Sequence, residues 1–101
     1  MYWTVHPEAV EEFTSLPERI SEIIEDNIES RKNRENHILD QRGVGISYDN
    51  HGEPVHYFKV ENDDIAYRVF FEPSGNEITL LGVRERNDET YINLREYTLR
   101  E

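Results

Sequence analysis

The chain has 101 residues and a mass of 12.1 kDa, and its 22 Asp and Glu residues against 11 Lys and Arg give a net charge of −11. This length predicts a single domain over residues 1–101, and an aromatic fraction of 11% argues against a disordered chain. The net charge argues against indiscriminate nucleic-acid binding, and the absence of cysteine excludes disulfides and thiolate chemistry.

The cationic residues are almost all arginine, since only Lys32 and Lys59 are lysines. Many carboxylates with few lysines are typical of halophilic microbes, whose proteins stay hydrated through surface carboxylates while salt screens the repulsion between them. We therefore expect a halophilic source and a protein that folds best in molar salt. The sequence contains neither an apolar run of membrane-spanning length nor a signal-peptide pattern, so we expect it in the cytoplasm.

The N-terminal third predicts a strand followed by two helices. The aromatic and β-branched segment 2–6 is typical of a strand, and Pro7 suits the first turn of a short helix that runs to Thr14. Ser15 and Glu18 have the spacing of a capping box, which predicts that a second helix opens there. The apolar face of that helix carries Ile20, Ile23, Ile24, Asn27 and Ile28. We expect the two helices to form a hairpin.

The remainder of the chain predicts an antiparallel meander. Residues 33–54 indicate turns or, at their start, a longer second helix, because glycine, asparagine and proline punctuate them. Three apolar segments follow, at 55–61, 65–72 and 78–86, separated by tight-turn sequences. Residues 91–101 fit a short helix or a terminal strand. The predicted fold is α+β, with an N-terminal strand and a helical hairpin packed on the meander.

Side-chain alternation assigns the residues of the three meander strands to two faces. The face that the helices are expected to cover carries Phe58, Val60, Tyr67, Val69, Phe71, Leu81 and Val83. The other face is expected to be open, and it gathers Lys59, Arg68, Arg84 and Arg86 beside Tyr57, Phe70 and Leu80. Such a cationic patch on a strongly acidic chain is more informative about function than the net charge.

Four short motifs follow one another along these elements. They are His6-Pro7-Glu8-Ala9 after the first strand, Leu16-Pro17 between the helices, Ala66-Tyr67-Arg68-Val69-Phe70, and Gly82-Val83-Arg84-Glu85-Arg86 followed by Tyr91. In this order, the elements and motifs resemble the RelE/ParE toxin superfamily over nearly the whole chain. The resemblance implies a RelE-like fold and a type II toxin whose partner is a cognate antitoxin protein.

The RelE branch of this superfamily cleaves mRNA in the ribosomal A site, so the resemblance implies a metal-independent endoribonuclease, or mRNA interferase, with no cofactor. Cleavage needs a base for the 2′-hydroxyl, cations for the phosphorane charge and an acid for the 5′-oxygen. By resemblance, Arg68 and Arg84 stabilise the phosphate, and Lys59 serves as general base or as electrostatic support. Tyr91 stacks on a base or assists proton transfer. Arg86 and Tyr57 are expected to contact the RNA.

Other interpretations remain open. The ParE branch lacks the cutting residues and acts on gyrase, so a non-cutting module that binds gyrase or the antitoxin is the alternative function. The acidic residues Glu61, Asp63 and Asp64 favour that alternative. Glu53 and His56 are alternative candidates for the proton-transfer steps. The four histidines show no compact ligand spacing, so no metal site is expected.

Overall fold

The computed structural model describes residues 2–48 and 52–86. The elements are β1 (Tyr2–Val5), a 3-10 turn (Pro7–Ala9), α1 (Val10–Thr14), α2 (Glu18–Lys32), a second 3-10 turn (Ile38–Asp40), β2 (Val44–Tyr48), β3 (Pro54–Glu61), β4 (Ala66–Ser74) and β5 (Glu77–Glu85). The predicted α+β class and the predicted meander are therefore confirmed. The helix or strand expected over 91–101 lies outside the described residues.

The five strands form one mixed sheet in the order β1-β5-β4-β3-β2. The antiparallel strands β3, β4 and β5 are its centre, β1 runs parallel to β5 at one edge, and β2 pairs antiparallel with β3 at the other. β2 was not predicted from the sequence, because Gly43 before it and Gly45 within it weaken the strand pattern. Gly45 is required there, since a Cβ on it would lie 2.7 Å from the hydroxyl oxygen of Tyr57.

The helix α2 packs its apolar face on the sheet. Ile20 and Ile24 are buried in the main core, which also contains Ile38, Phe58, Val60, Val69, Phe71, Ile78, Leu80 and Val83. The predicted capping box is wrong, because α2 begins only at Glu18, and Ser15 instead closes α1 by donating its N–H to the carbonyl of Glu11. Neither helix in the described ranges is long and apolar enough to cross a membrane.

An extra residue in β5 rearranges the two faces of the sheet. Phe70 pairs with Gly82 whereas Phe71 pairs with Leu80, so Leu81 has no counterpart on β4 and forms a bulge. Leu80 consequently joins the main core and Leu81 points to the opposite face. The faces predicted for these two leucines are therefore exchanged, because simple alternation assumes that no residue is inserted.

The face of the sheet opposite α2 is partly closed, contrary to the expectation of an open face. A second apolar cluster consists of Ala9, Val55, Phe70 and Leu81, with Phe13 and Tyr57 packed against it. Phe70 is fully buried and Leu80 is 4% exposed, so neither is available as an exposed apolar contact. The cationic residues of this face lie beside the second cluster and are not part of it.

Candidate functional site

Three cations lie side by side across the centre of the sheet. Lys59 on β3 pairs with Arg68 on β4, and Arg68 pairs with Arg84 on β5. Directly opposed residues on neighbouring strands have Cβ atoms about 5 Å apart, so these three form a continuous row on the face opposite α2. We call Lys59, Arg68 and Arg84 the cation row. The structure thus brings together three cations that the sequence placed on one face.

Arg84 forms an ion pair with Glu12 of α1, and both side chains are largely buried, with 22% and 20% exposed. The Glu12 carboxylate also accepts the backbone N–H of Val83 at 2.6 Å. This contact lies on the edge of β5 beyond Val5, the last residue of β1 that pairs with it. Glu12 therefore both neutralises Arg84 and satisfies a backbone donor at the sheet edge.

Arg68 is positioned by an aromatic side chain. Its guanidinium carbon lies 4.7 Å from the ring centroid of Tyr57, a cation–π geometry. The Tyr57 ring in turn packs beside Phe70, with 6.0 Å between the ring centroids, and lies across Gly45. Tyr57, which the sequence analysis expected to contact RNA, is therefore a half-buried support for Arg68.

The other predicted site residues lie at or beyond the margin of the row. Arg86 is exposed just past the end of β5, where its backbone N–H donates to the carbonyl of Ala66 at 2.8 Å. Tyr91 lies outside the described residues. Glu61, Asp63 and Asp64 are exposed at the β3–β4 turn. Asp64 pairs with Arg19 of α2 at 2.7 Å, through side chains that are each more than half exposed.

The proposed pairing of Glu53 with His56 is not close to the cation row. His56 and Lys59 are three residues apart on β3, so their side chains point to opposite faces of the sheet. His56 therefore lies on the α2 side, where its ring centroid is 5.7 Å from that of Phe71. Burial lowers the pKa of His56 below its usual 6.5. His56 therefore lies on the opposite face of the sheet from the cation row, and the role of Glu53 and His56 in the proton transfers stays a prediction.

A second group of cations lines a cavity at the edge of β3. The pairing of β2 with β3 starts at Val44 and Phe58, so the end of β3 extends past β2. A cavity of about 710 Å³ opens there between β3, the end of α2 and the loop that precedes β2. Its charged residues are Arg31, Arg34, Arg42 and Lys59, together with Asp40 and Glu61. We call this cavity the arginine notch.

Arg31 forms the floor of the arginine notch and is only 6% exposed. Its Nε donates to the Asn27 side chain at 2.9 Å, and its Nη1 donates to the Arg42 carbonyl at 3.0 Å. Longer bonds of 3.4 Å join Nη1 to the Gln41 side chain and Nη2 to the Lys59 carbonyl. Every acceptor that Arg31 meets among the described residues is therefore neutral.

The charge of Arg31 has no carboxylate counterpart within residues 2–48 and 52–86. Burial, with a smaller contribution from the nearby charge of Arg34, lowers the pKa of Arg31 to about 10. The ring of Phe58 lies 4.7 Å from the guanidinium carbon and covers one of its faces. Arg31 thus remains charged at neutral pH, in a place where that charge is poorly solvated.

The notch was not predicted from the sequence, although the sequence contains a signal for it. Arg31, Arg34 and Arg42 fall within twelve residues of a chain that has only 11 Lys and Arg in total. Their convergence depends on contacts of α2 with β3, which local patterns do not show.

Histidine and carboxylate side chains do not gather into a group of three that could hold a metal ion anywhere in the described ranges. Comparison of the chain with protein-family models, with curated proteins and with solved structures found no match. The function of the chain is therefore inferred from its own residues and their geometry.

Proposed function

We propose that the protein is a toxin of the RelE type that cleaves mRNA in the ribosomal A site. The observation that carries the proposal is the cation row, because Lys59, Arg68 and Arg84 occupy adjacent positions on three neighbouring strands. A row of fixed cations can contact the non-bridging oxygens of one phosphate and stabilise the charge that develops in a phosphorane. This chemistry requires neither a metal nor a cofactor.

The members of the row differ in how firmly they are held. Arg68 is held against the ring of Tyr57, and the planar guanidinium of an arginine matches the geometry of a phosphate. Lys59 supplies a compact charge beside it, as general base or as electrostatic support. Tyr91 is proposed to stack on a base or to assist proton transfer. Arg86, exposed beyond β5, is proposed to contact the RNA backbone.

Arg84 can take part only if the substrate competes with Glu12. A phosphorane carries more negative charge than a carboxylate, so Arg84 gains by changing partner as the reaction proceeds. An interaction that strengthens in this way in the transition state raises the rate of the chemical step. The same proposal implies a cytoplasmic protein that is kept inactive by a cognate antitoxin.

The test is alanine substitution of the row in cells and in cleavage of ribosome-programmed mRNA in molar KCl. Arg68→Ala should lower the cleavage rate about a hundredfold, the usual effect of losing one donor to a developing oxyanion, and should abolish growth arrest. Arg84→Ala should act in the same direction, and Lys59→Ala should have a smaller effect. Arg19→Ala, an exposed arginine on α2, is the matched control and should cleave normally.

Two results would oppose the proposal. Circular dichroism must first show that each variant is folded. If Arg68→Ala and Arg84→Ala then cleave at the rate of the unsubstituted chain, the cation row has no part in catalysis. If the unsubstituted chain arrests growth without cleaving ribosome-bound mRNA, the nuclease activity itself is wrong.

The ion pair of Arg84 with Glu12 favours a second candidate function. A guanidinium that is already neutralised by a carboxylate of its own chain can be purely structural. The protein would then be a non-cutting member of the superfamily that binds gyrase or an antitoxin. In that case Arg68→Ala and Arg84→Ala would leave growth arrest intact, and gyrase activity would fall in extracts that contain the protein.

A further inference from the structure

The arginine notch is a cationic cavity whose composition the cation row does not explain. We propose that the notch binds the phosphate group of a nucleotide-sized ligand. This inference goes beyond the proposed nuclease function and does not require it, although Lys59 belongs to both sites.

The first argument is the distribution of charge. Four of the 11 Lys and Arg residues of the chain line the notch, against the carboxylates of Asp40 and Glu61. The chain as a whole carries a net charge of −11, so most of its surface repels anions. A local excess of positive charge inside a concave site focuses the field and attracts an anion there.

The second argument is the state of Arg31. A buried charge without a counter-charge is costly, and buried charges in proteins are usually paired. Arg31 is 6% exposed and its partners in the described part of the chain are neutral oxygens. These bonds fix the guanidinium without neutralising it. An anion in the notch would supply the missing negative charge.

The third argument is access to Arg31. Its Nη2 bonds to the Lys59 carbonyl at 3.4 Å, which leaves the second hydrogen of that nitrogen available. Gly43, with a φ of +80°, borders the notch beside this nitrogen, and a Cβ on Gly43 would lie 3.1 Å from Nη2. The absence of a side chain at this position therefore keeps the approach to Nη2 open.

The shape and size of the notch indicate the class of ligand. Cations from α2, from the following loop and from β3 approach it from different directions, which suits the tetrahedral oxygens and double charge of a phosphate better than a planar, singly charged carboxylate. A volume of about 710 Å³ is within the range of small-molecule pockets and exceeds what a free phosphate ion fills. The notch therefore has room for a phosphate attached to a larger group.

The experiment is a calorimetric titration of the full chain with adenosine 5′-monophosphate, adenosine and inorganic phosphate, with KCl used to match ionic strength. The nucleotide should bind saturably and adenosine should not. Inorganic phosphate should bind more weakly than the nucleotide. If inorganic phosphate binds equally well, the notch takes a free phosphate and the attached group is wrong. A short RNA with a 5′-phosphate and the same RNA without it form a further arm, and tighter binding of the phosphorylated RNA would identify the end of a strand as the source of the phosphate.

The variants locate the binding. Arg34 and Arg42 are exposed, so the double variant R34Q/R42Q should fold normally and bind the nucleotide at least about tenfold more weakly, as expected for lost charge-assisted hydrogen bonds. R19Q removes one exposed arginine elsewhere and should bind normally. The proposal fails if no phosphate ligand binds or if R34Q/R42Q binds as tightly as the unsubstituted chain. Binding that R68A abolishes while R34Q/R42Q retains it would assign the ligand to the cation row and overturn the proposal.

Discussion

At each edge of the sheet, a short edge strand ends before the strand with which it pairs. The side chains that cover the exposed part of the longer strand differ between the two edges. Beyond the end of β1, Glu12 accepts a backbone N–H of β5 and neutralises Arg84. Beyond β2, Arg31 donates to a backbone carbonyl of β3, and no carboxylate within the described residues neutralises it. Both side chains satisfy backbone groups at an edge of the sheet. Within the described residues only Arg84 is neutralised by a carboxylate, and this difference supports the ligand site that we propose at Arg31.

We expect the loss of Arg31 to lower stability more than the loss of Glu12 or His56. Arg31→Met deletes the bonds to Asn27, Gln41, Arg42 and Lys59 and leaves buried acceptors without a donor. We expect a loss of about 3 kcal/mol in the free energy of unfolding, since hydrogen bonds to charged groups are worth more than neutral ones. Urea denaturation in molar KCl measures this.

Two further substitutions control that measurement. Arg31→Lys keeps the charge but loses the planar fork, so its stability should lie between those of Arg31→Met and the unsubstituted chain. Arg34→Met changes an exposed neighbour and should alter stability by less than about 0.5 kcal/mol. An Arg31→Met protein as stable as the unsubstituted chain would show that the β3 edge does not depend on this guanidinium.

Neutralising Glu12 should lower stability by less than the loss of Arg31 does. Glu12→Gln keeps an oxygen that can accept the N–H of Val83 but removes the charge that pairs with Arg84. We expect a loss of about 1 kcal/mol in stability, the upper range for a partly exposed pair. Loss of the negative charge beside Arg84 should also raise the affinity for a short RNA, as measured by fluorescence anisotropy.

The neighbouring exposed residue provides the control, since Glu11→Gln makes the same change in net charge on the same helix. It should leave stability unchanged and raise RNA affinity less. Equal effects of the two substitutions would mean that net charge alone, and not release of Arg84, determines binding.

Lowering the pH should have the smallest effect on stability. This effect should act through His56, which belongs neither to the ion pair of Glu12 with Arg84 nor to the arginine notch. Burial lowers the pKa of His56 below 6.5, so the unfolded chain takes up this proton at a higher pH than the folded protein. Stability is therefore complete above about pH 6.5 and declines as the pH falls through that value toward the lower pKa of the folded state. His56→Gln should remove the part of this decline that the histidine contributes.

Thermal melts between pH 5 and pH 7 give this difference. A pH profile that His56→Gln leaves unchanged would show that the histidine is as easily protonated in the folded protein as in the unfolded one.

Regular periodicity explains which parts of the fold could be predicted. The helical spacing of Ile20 and Ile24 identified α2, and alternation identified the three central strands. β2 was missed because Gly43 and Gly45 indicate turns unless the ring of Tyr57 over Gly45 is known. Such a contact joins residues far apart in sequence, and local propensity does not contain it.

The site shows the same division. Alternation placed Lys59, Arg68 and Arg84 on one face correctly, because the bulge of β5 lies before Gly82 and the pairing from Gly82 to Arg84 is regular. It could not show that Glu12, from a helix 72 residues earlier in the chain, would reach Arg84. It also could not show the approach of Arg31 to the β3 carbonyls, because that depends on how α2 packs on the sheet.

The bulge at Leu81 determines which face of the sheet Arg84 occupies. Ile78 and Leu80 face the main core, and strict alternation from them would point residue 84 into the same apolar layer. The inserted residue resets the phase of β5, so that Val83 faces the core and Arg84 joins Arg68 on the other side. Deletion of a single residue here, whatever its chemical type, would invert the second half of the strand and turn a guanidinium inward.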